Sequence, residues 1–201
     1  MADGTPSRRR ILEAAIDQIT AGGEAALRLD VVAETARVTK PSIYHFFGSR
    51  DGLVAAAQAE RFRRTIVHGL DTISEAARTI RTRADFEAIL EVMLDITTDR
   101  AAAGRRAERI QILGSAVSRP ELTEQVVAAL RDAVAQSREF AATPAERGWP
   151  TGELDTDTMI LWWFGIVLGR HLFDIAADER MDEQWRRFTR RMVQQAIFGD
   201  A

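Results

Sequence analysis

Apolar residues recur at helical spacing along nearly all of the 201-residue chain, and this pattern constrains the fold more than any other feature. In the first segment, positions i, i+3, i+4 and i+7 of one helical face are Leu12, Ala15, Ile16 and Ile19. No segment alternates apolar and polar residues as a half-buried strand would, and glycine and proline separate the periodic segments instead. The sequence therefore predicts an all-α protein.

Glycine, proline and capping residues divide the chain into about nine helices. We expect a first helix over residues 6–20, two short helices over 28–36 and 40–47, and a long fourth helix that Ser49 caps and that extends to residue 77. Five more helices are expected over residues 84–98, 104–118, 120–143, 155–177 and 182–198.

Composition excludes several classes of protein and indicates a cytoplasmic one. The chain has no cysteine, which excludes disulfides and cysteine-ligated metals. The N-terminus does not read as a signal peptide, and the longest apolar run, residues 159–169, is too short for a bilayer, which needs roughly 20 residues. The formal net charge is −3, so nucleic-acid binding would depend on the placement of charges, not on their excess.

The segment "VTKPSIYHFFGSR", residues 38–50, carries many hydrogen-bonding side chains on one short helix. At 100° per residue, Ile43 and Phe47 fall on one side of this helix. The opposite side carries Pro41, Ser42 and His45. Two short helices joined by a tight turn and held by a first helix make a helix-turn-helix, whose second helix enters the major groove of DNA.

The side chains of this segment suit contacts with DNA. Lys40 suits a phosphate or a guanine edge, Ser42 and His45 suit base edges, and Tyr44 suits a phosphate oxygen. The helix N-termini at Thr39 and Ser49 offer backbone N–H groups to phosphates, and Arg50 adds a cation beside them.

Residues 10–57 resemble the N-terminal DNA-binding domain of the TetR family of transcriptional regulators. The resemblance is carried in register by short motifs of the family, namely Ile11-Leu12 with Ala14-Ala15, Gly23, Val32-Ala33, Ala36 with Val38-Thr39, Ile43-Tyr44, Phe47, Ser49-Arg50 and Leu53. It implies a domain over residues 1–50 that binds DNA and a helical domain over 51–201 that binds an effector and dimerises.

Three positions depart from the family pattern. Arg37 stands where the turn usually has glycine, so a non-glycine residue must hold the turn, with a positive φ and a phosphate contact as its expected consequences. Arg28 stands where a threonine often opens the second helix, and an arginine there still reaches a phosphate. Pro41 replaces a common glycine and stiffens the helix start. The expected DNA-binding residues are thus Arg28, Arg37, Thr39, Lys40, Pro41, Ser42, Tyr44, His45, Ser49 and Arg50.

The resemblance further implies a homodimer that binds a palindromic double-stranded operator and acts as a repressor released by a small molecule. The last two helices would form the dimer interface. By itself, the run "MILWWFGIVLG" predicts a helix buried on more than one side, with Gly165 and Gly169 forming a smooth strip. The expected interface residues are Gly165, Gly169, Trp185, Phe188 and Met192.

The effector pocket is predicted from large apolar residues of the C-terminal half, and an aromatic-rich lining favours a mostly apolar ligand. The candidates are Phe86, Met93, Ile112, Phe140, Trp162, Trp163, Phe164 and His171. The three histidines, His45, His68 and His171, have no metal-ligand spacing, and we expect no metal, no cofactor and no membrane partner.

Two other functions remain open on the sequence alone. A helical enzyme lacks support, because no nucleophile motif, phosphate-binding glycine loop or acidic metal cluster is present. A small-molecule-binding or interaction protein whose helix-turn-helix no longer reads DNA is the alternative, and Arg28, Arg37 and the near-neutral N-terminal charge favour it.

Overall fold

The protein is built from α-helices joined by short turns. A computed structural model describes residues 6–150, 155–176 and 178–199, with the side chains of 67–72 outside this description. Within these ranges the helices are α1 (Pro6–Gly22), α2 (Leu29–Ala36), α3 (Lys40–Phe47), α4 (Arg50–Ala77), α5 (Arg83–Thr98), α6 (Ala103–Ala116), α7 (Pro120–Glu146), α8 (Thr156–Ala176) and α9 (Glu179–Phe198). Two 3-10 helices, Glu24–Ala26 and Arg100–Ala102, complete the described elements. The predicted all-α fold is confirmed. His68, one of the three histidines of the chain, lies among the side chains outside this description.

Most helix ends lie close to their predicted positions, and α3 has both of its predicted ends. The prediction was wrong for α7, which continues past Pro144 to Glu146. A proline removes one backbone donor, and so close to the end of a 27-residue helix this loss does not break the helix. The start of α9 was also placed too late, because Asp178 caps the helix by accepting a hydrogen bond from the Met181 N–H at 2.9 Å.

Contacts between residues divide the chain into two compact units. The first comprises residues 1–64 with 112–127, and the second comprises 65–111 with 128–201. Helices α4, α6 and α7 each contribute residues to both units. The sequence predicted a division by function, into a DNA-binding domain over residues 1–50 and an effector-binding domain over 51–201. This division stays a proposal.

The core of the first unit holds α1, α2 and α3 together. Its fully buried members include Ile11 and Ala15 of α1, Val32 of α2 and Ile43 of α3. Phe46 and Phe47 pack against this core from α3, and the Arg8 guanidinium lies 5.1 Å from the centre of the Phe47 ring. Burial of this apolar set therefore holds α2 and α3, which have eight residues each and would be marginal alone, against α1.

The turn between α2 and α3 contains a left-handed residue. Arg37 has φ 54° and ψ 50°, and it is the only non-glycine residue with a positive φ in the described part of the chain. Its N–H donates to Ala33 O and Glu34 O, and the Val38 N–H donates to Ala33 O at 2.9 Å. Arg10 Nε donates to Ala36 O at 3.0 Å from α1. These bonds satisfy the last carbonyls of α2 and hold Arg37 in a conformation that a side chain disfavours.

Glu24 attaches residues 112–127 to the rest of the first unit. Its carboxylate accepts hydrogen bonds from Gln58 Nε2 at 2.6 Å and Ser115 Oγ at 2.5 Å, and it lies 2.8 Å from Arg119 Nη2. Burial alone would raise the pKa of Glu24, but these three partners together lower it below its ordinary value. The carboxylate is therefore held ionised.

The core of the second unit centres on Phe86 of α5. The Phe86 ring lies 6.0 Å from Phe140 of α7, 6.4 Å from Trp149 and 6.0 Å from Phe198 of α9. A capping box fixes the start of α5, because Thr82 Oγ1 accepts from the Asp85 N–H while Asp85 Oδ2 accepts from the Thr82 N–H.

A buried charge network joins α6, α8 and α9 in the same unit. Arg106 donates to Asp174 through Nε at 2.6 Å and Nη2 at 2.8 Å, and also to the carbonyls of Thr97 and Asp99. Arg170, which is fully buried, lies 3.5 Å from Asp174 Oδ1 and 2.6 Å from Asp182 Oδ1. Burial raises the pKa of Asp174, but the Arg106 hydrogen bonds and the charges of Arg106 and Arg170 outweigh it and lower the pKa.

Arg37→Gly should stabilise the protein. Glycine removes the steric cost of the left-handed conformation but loses more backbone entropy on folding. The net increase in the free energy of unfolding should be about 0.5–1 kcal/mol. Urea unfolding at neutral pH measures the free energy of unfolding. Arg37→Ala is the matched control, because it removes the guanidinium and keeps the strained φ. An equal gain in both variants would attribute the effect to charge and contradict backbone strain.

Asp174→Asn should destabilise the protein by roughly 3–5 kcal/mol, because it leaves Arg106 as a buried charge without its carboxylate and removes one of the two carboxylates beside Arg170. Asp157→Asn on the same helix is the control. Its partner, Arg138, is exposed, so the loss there should stay below about 1 kcal/mol. Urea unfolding of both variants makes the comparison, and equal losses would contradict the account.

The same network predicts a dependence on pH. Because the pKa of Asp174 is lowered, its contribution to stability is present above the ordinary value of 3.8 and is lost as the pH falls below it. Asp174→Asn should lack this part of the acid destabilisation.

Candidate nucleic-acid interface and ligand cavity

Helix α3 presents a polar face to solvent. Ile43 is its only fully buried residue, and Lys40, Pro41 and His45 are exposed. Tyr44 retains 49% of its exposure, whereas Ile43 beside it is fully buried. The structure therefore brings together the polar side chains that the sequence assigned to DNA contacts on this helix.

The start of α3 offers fewer backbone donors than the sequence indicated. Thr39 occupies the N-cap position, but its side chain makes no capping bond; its Oγ1 lies 3.0 Å from Ser42 Oγ instead. Pro41 has no N–H, and the Ser42 N–H donates to Thr39 O at 3.0 Å. An anion at this terminus would therefore rely on the Lys40 N–H and on the Thr39 and Ser42 hydroxyl groups.

The start of α4 follows the prediction more closely. Ser49 Oγ accepts a hydrogen bond from the Gly52 N–H at 2.9 Å, so its predicted capping role is confirmed. Gly52 lies so close to Phe47 O that a Cβ there would sit 2.1 Å from this oxygen. This close approach holds the end of α3 against the first turn of α4.

Three arginines around α3 differ in what they contact. Arg50 donates through Nε to Leu27 O at 3.2 Å and through Nη2 to Glu24 O at 2.7 Å, so it supports the segment before α2. Arg28 pairs with Asp30 at 2.8 Å, although both side chains are exposed. Arg37 is exposed at the turn. DNA contacts for Arg28 and Arg50 remain predictions, and they would compete with these internal bonds.

The second unit encloses a cavity of about 600 Å³. Five of the predicted residues line it: Phe86, Met93, Phe140, Trp163 and Phe164. Three others do not. Ile112 is buried in the first unit, Trp162 packs against the Phe86 core, and the Nδ1 atom of His171 lies 3.8 Å from Asp174 Oδ2.

Polar residues that the sequence did not single out also line the cavity. They are Thr65, Thr97, Arg105, Arg106, Arg109, Ser137, Asp155 and Thr156. The arginines fall at positions i, i+1 and i+4 of α6, a spacing that the sequence displays. A search restricted to large apolar residues could not find them.

The outer faces of α8 and α9 carry large exposed apolar side chains. On α8, Leu161 retains 54%, Leu172 69% and Ile175 69% of their exposure. On α9, Phe188 retains 60% and Met192 37%. Trp185 is half-buried against Phe173, with the ring centres 5.2 Å apart. Exposed apolar surface of this kind is found at protein–protein interfaces, at membrane contacts and in ligand-binding grooves.

Gly165 and Gly169 lie on α8 with open space beside them. A Cβ built on either glycine meets no heavy atom within 4 Å among the described residues outside its own helix. Among the described helices, α8 is long and apolar enough to cross a membrane, with a mean hydropathy of 1.4 over 18 residues. However, Arg170 of this helix is fully buried and forms ion pairs with Asp174 and Asp182 of the same unit. No group of three metal-binding side chains occurs in the described part of the chain.

Comparison with family models matches residues 11–57 to "Bacterial regulatory proteins, tetR family". The match covers α1, α2, α3 and the first part of α4. Comparison with curated proteins gives no match.

Solved structures of the same fold span almost the whole chain. A Rhodococcus sp. protein assigned as a TetR-family transcriptional regulator is 19% identical, with a TM-score of 0.67 over 96% of this chain and 100% of that one. A regulator from Saccharomonospora viridis in complex with choline is 16% identical, with a TM-score of 0.62 over 96% and 98%. FadR from Bacillus subtilis in complex with stearoyl-CoA is 15% identical, with a TM-score of 0.56 over 96% and 99%.

The polar face of α3 and the tight turn before it are the features that the sequence predicts for a helix-turn-helix. Both lie within residues 11–57, the range that the family model matches. Residues 11–57 thus match the N-terminal domain of the tetR family of bacterial regulatory proteins, and the all-α fold of the chain is that of solved structures assigned to TetR-family transcriptional regulators.

Proposed function

We propose that this protein is a transcriptional repressor that binds a palindromic operator as a homodimer and leaves it when a small molecule binds. The observation that carries the proposal is the exposed polar face of α3, held in place through the buried Ile43. A helix of this kind fits the major groove with its N-terminal residues at base edges. We assign its site of action to the cytoplasm and its role to binding, without catalysis.

The contacts divide into two groups. Lys40, Ser42 and His45 would meet base edges or the adjoining phosphates, and Tyr44 would donate its hydroxyl to a phosphate oxygen. Thr39, Ser49, Arg28, Arg37 and Arg50 would contact the sugar-phosphate backbone, and Pro41 would stiffen the helix start. Because Arg28 and Arg50 already have internal partners, Arg37 and Lys40 would supply most of the positive charge.

The exposed surface of α8 and α9 supports the homodimer. Gly165 and Gly169 leave room for the close approach of a helix from a second copy, and Phe188 and Met192 would cover it from α9. A second copy suits this surface because it would bury the apolar residues of both subunits around one two-fold axis.

The cavity supports the effector. It is enclosed largely by apolar and aromatic side chains and has the size of sites that hold small organic ligands. The structural relatives include proteins crystallised with choline and with stearoyl-CoA, so the fold accommodates ligands of different chemistry.

The direct test is fluorescence anisotropy of the purified protein on labelled DNA from upstream of its own gene. We expect saturable binding to one fragment, weakening as salt rises with a log–log slope of about −0.9 for each phosphate neutralised. An interaction protein that no longer reads DNA would give no salt-dependent binding to any upstream fragment, and that result would contradict the proposal.

Tyr44→Phe should weaken operator binding at least about tenfold, because each subunit loses one hydrogen bond to a charged phosphate. The melting temperature should change little, since the ring remains and Tyr44 is exposed. Arg187→Gln on α9 is the control for loss of polar surface elsewhere, because Arg187 is exposed and pairs only locally with Glu183. Unchanged affinity of Tyr44→Phe would remove Tyr44 from the interface.

Gly165→Leu should convert the dimer into monomers. A Cβ at Gly165 meets no heavy atom within 4 Å in the single chain, so we expect a leucine to be accommodated within one subunit and to obstruct only a neighbouring helix. Light scattering measures the mass, and circular dichroism checks the fold. Gly114→Leu is the control, because a side chain there also meets open space but lies on α6. A Gly165→Leu protein that stays dimeric would place the interface elsewhere.

A further inference from the structure

Three arginines of α6 line the cavity, and they differ in the number of hydrogen bonds that they form within the protein. Arg106 donates four hydrogen bonds, two to Asp174 and one each to the carbonyls of Thr97 and Asp99. Arg109 donates to Thr65 through Nε at 3.2 Å and through Nη2 to the Thr65 carbonyl, which leaves Nη1. Arg105 lines the cavity and is exposed to solvent, so it lies where the cavity opens.

The charges of Arg105 and Arg109 are not neutralised by a paired carboxylate. Among the described residues, no acidic oxygen lies within ion-pair distance of either guanidinium, whereas Arg106 has Asp174. Burial and the neighbouring Arg105 and Arg106 lower the pKa of Arg109, and Glu108 offsets part of this effect. Two adjacent cations at a cavity wall favour an anion as their partner.

The acidic residue of the lining lies at the other end of the cavity. Asp155 directly precedes α8 and accepts hydrogen bonds from the N–H groups of Asp157 and Thr158. Asp174, which binds Arg106, lies near the last turn of the same 21-residue helix, which is about 30 Å long. The arginine side of the cavity therefore faces the C-terminal part of α8, away from Asp155.

An apolar wall runs between these two ends. Helix α8 supplies Met159, Trp163, Phe164 and Val167, and α5 supplies Phe86 and Leu90. From Thr156 to Val167 this wall extends about 16 Å along α8, at 1.5 Å per residue. The cavity thus combines a long apolar section with a cationic end.

We propose that the cavity binds an amphipathic organic anion, with its carboxylate or phosphate head against Arg105 and Arg109 and its apolar chain along α8. The inference rests on the proposed function in taking this cavity as the effector site. The sequence alone favoured a mostly apolar ligand, whereas this proposal specifies a ligand with one charged end. Arg106 is a positioning residue that holds α6 against α8 and leaves the two other arginines to the ligand.

Four ten-carbon probes test the proposal by isothermal titration calorimetry below their micelle concentrations. Decanoate and decyl phosphate carry the anionic heads, 1-decanol has the same chain without charge, and decyltrimethylammonium has the opposite charge. We expect at least one anion to bind about tenfold or more tightly than decanol, since charge-assisted bonds are the strong ones, and the cation to bind most weakly. The two anions compared with each other identify the preferred head.

Arg105→Gln is the informative variant, because Arg105 has no hydrogen bond or ion pair in the described structure and its loss should leave the fold intact. It should weaken binding of the preferred anion about tenfold and leave decanol within about twofold. Arg138→Gln is the control, because this exposed arginine of α7 pairs with Asp157 and does not line the cavity. Equal binding of decanoate, decyl phosphate and decanol, a preference for the cation, no binding of any probe, or an unchanged Arg105→Gln would overturn the proposal.

The readout does not involve DNA, so the two proposals fail separately. Operator binding by anisotropy together with no anion preference would leave the regulator and remove the anionic effector. Tight anion binding without operator binding would leave the ligand site and remove the regulator.

Discussion

The burial of Ile43 is the constraint on which the exposed polar face of α3 depends. Helix α3 has eight residues, and a helix of that length is not stable in water by itself. Ile43 enters the core between α1 and α2, and the left-handed Arg37 sets the turn that delivers it there. Because Ile43 anchors one side of α3 in the core, the remaining face of the helix is left to solvent. This face carries Lys40, Tyr44 and the other polar side chains.

The second unit uses its charges in two ways. The Arg106–Asp174 pair, extended by Arg170 and Asp182, joins α6, α8 and α9. Removing one partner of such a buried pair is costly, because it leaves the other charge uncompensated. Arg105 and Arg109 lie on the same helix but outside this network. Their position at one end of the cavity, beside aromatic side chains of α8, gives the cavity lining its polarity.

The sequence predicted local features well and long-range partners poorly. The ends of α3, the positive φ of Arg37 and the Ser49 cap follow from residues close together in the chain, so periodicity and turn chemistry reveal them. Arg50 bonds to carbonyls before α2, Glu24 meets Ser115 and Arg119, and Ile112 joins the first unit; these contacts join distant segments. For the same reason the apolar cavity residues were found in part, and its arginines were not.

Hydroxyl-radical footprinting of the fragment that binds tests most directly whether two copies of α3 read DNA together. The account predicts two protected regions whose centres lie about 34–36 Å apart, or a multiple of that distance, because each recognition helix of a dimer enters one major groove on the same side of the duplex. Both regions should disappear together in Gly165→Leu. A single protected region, or protection that persists unchanged in the monomer, would contradict a dimeric regulator that reads its operator through α3.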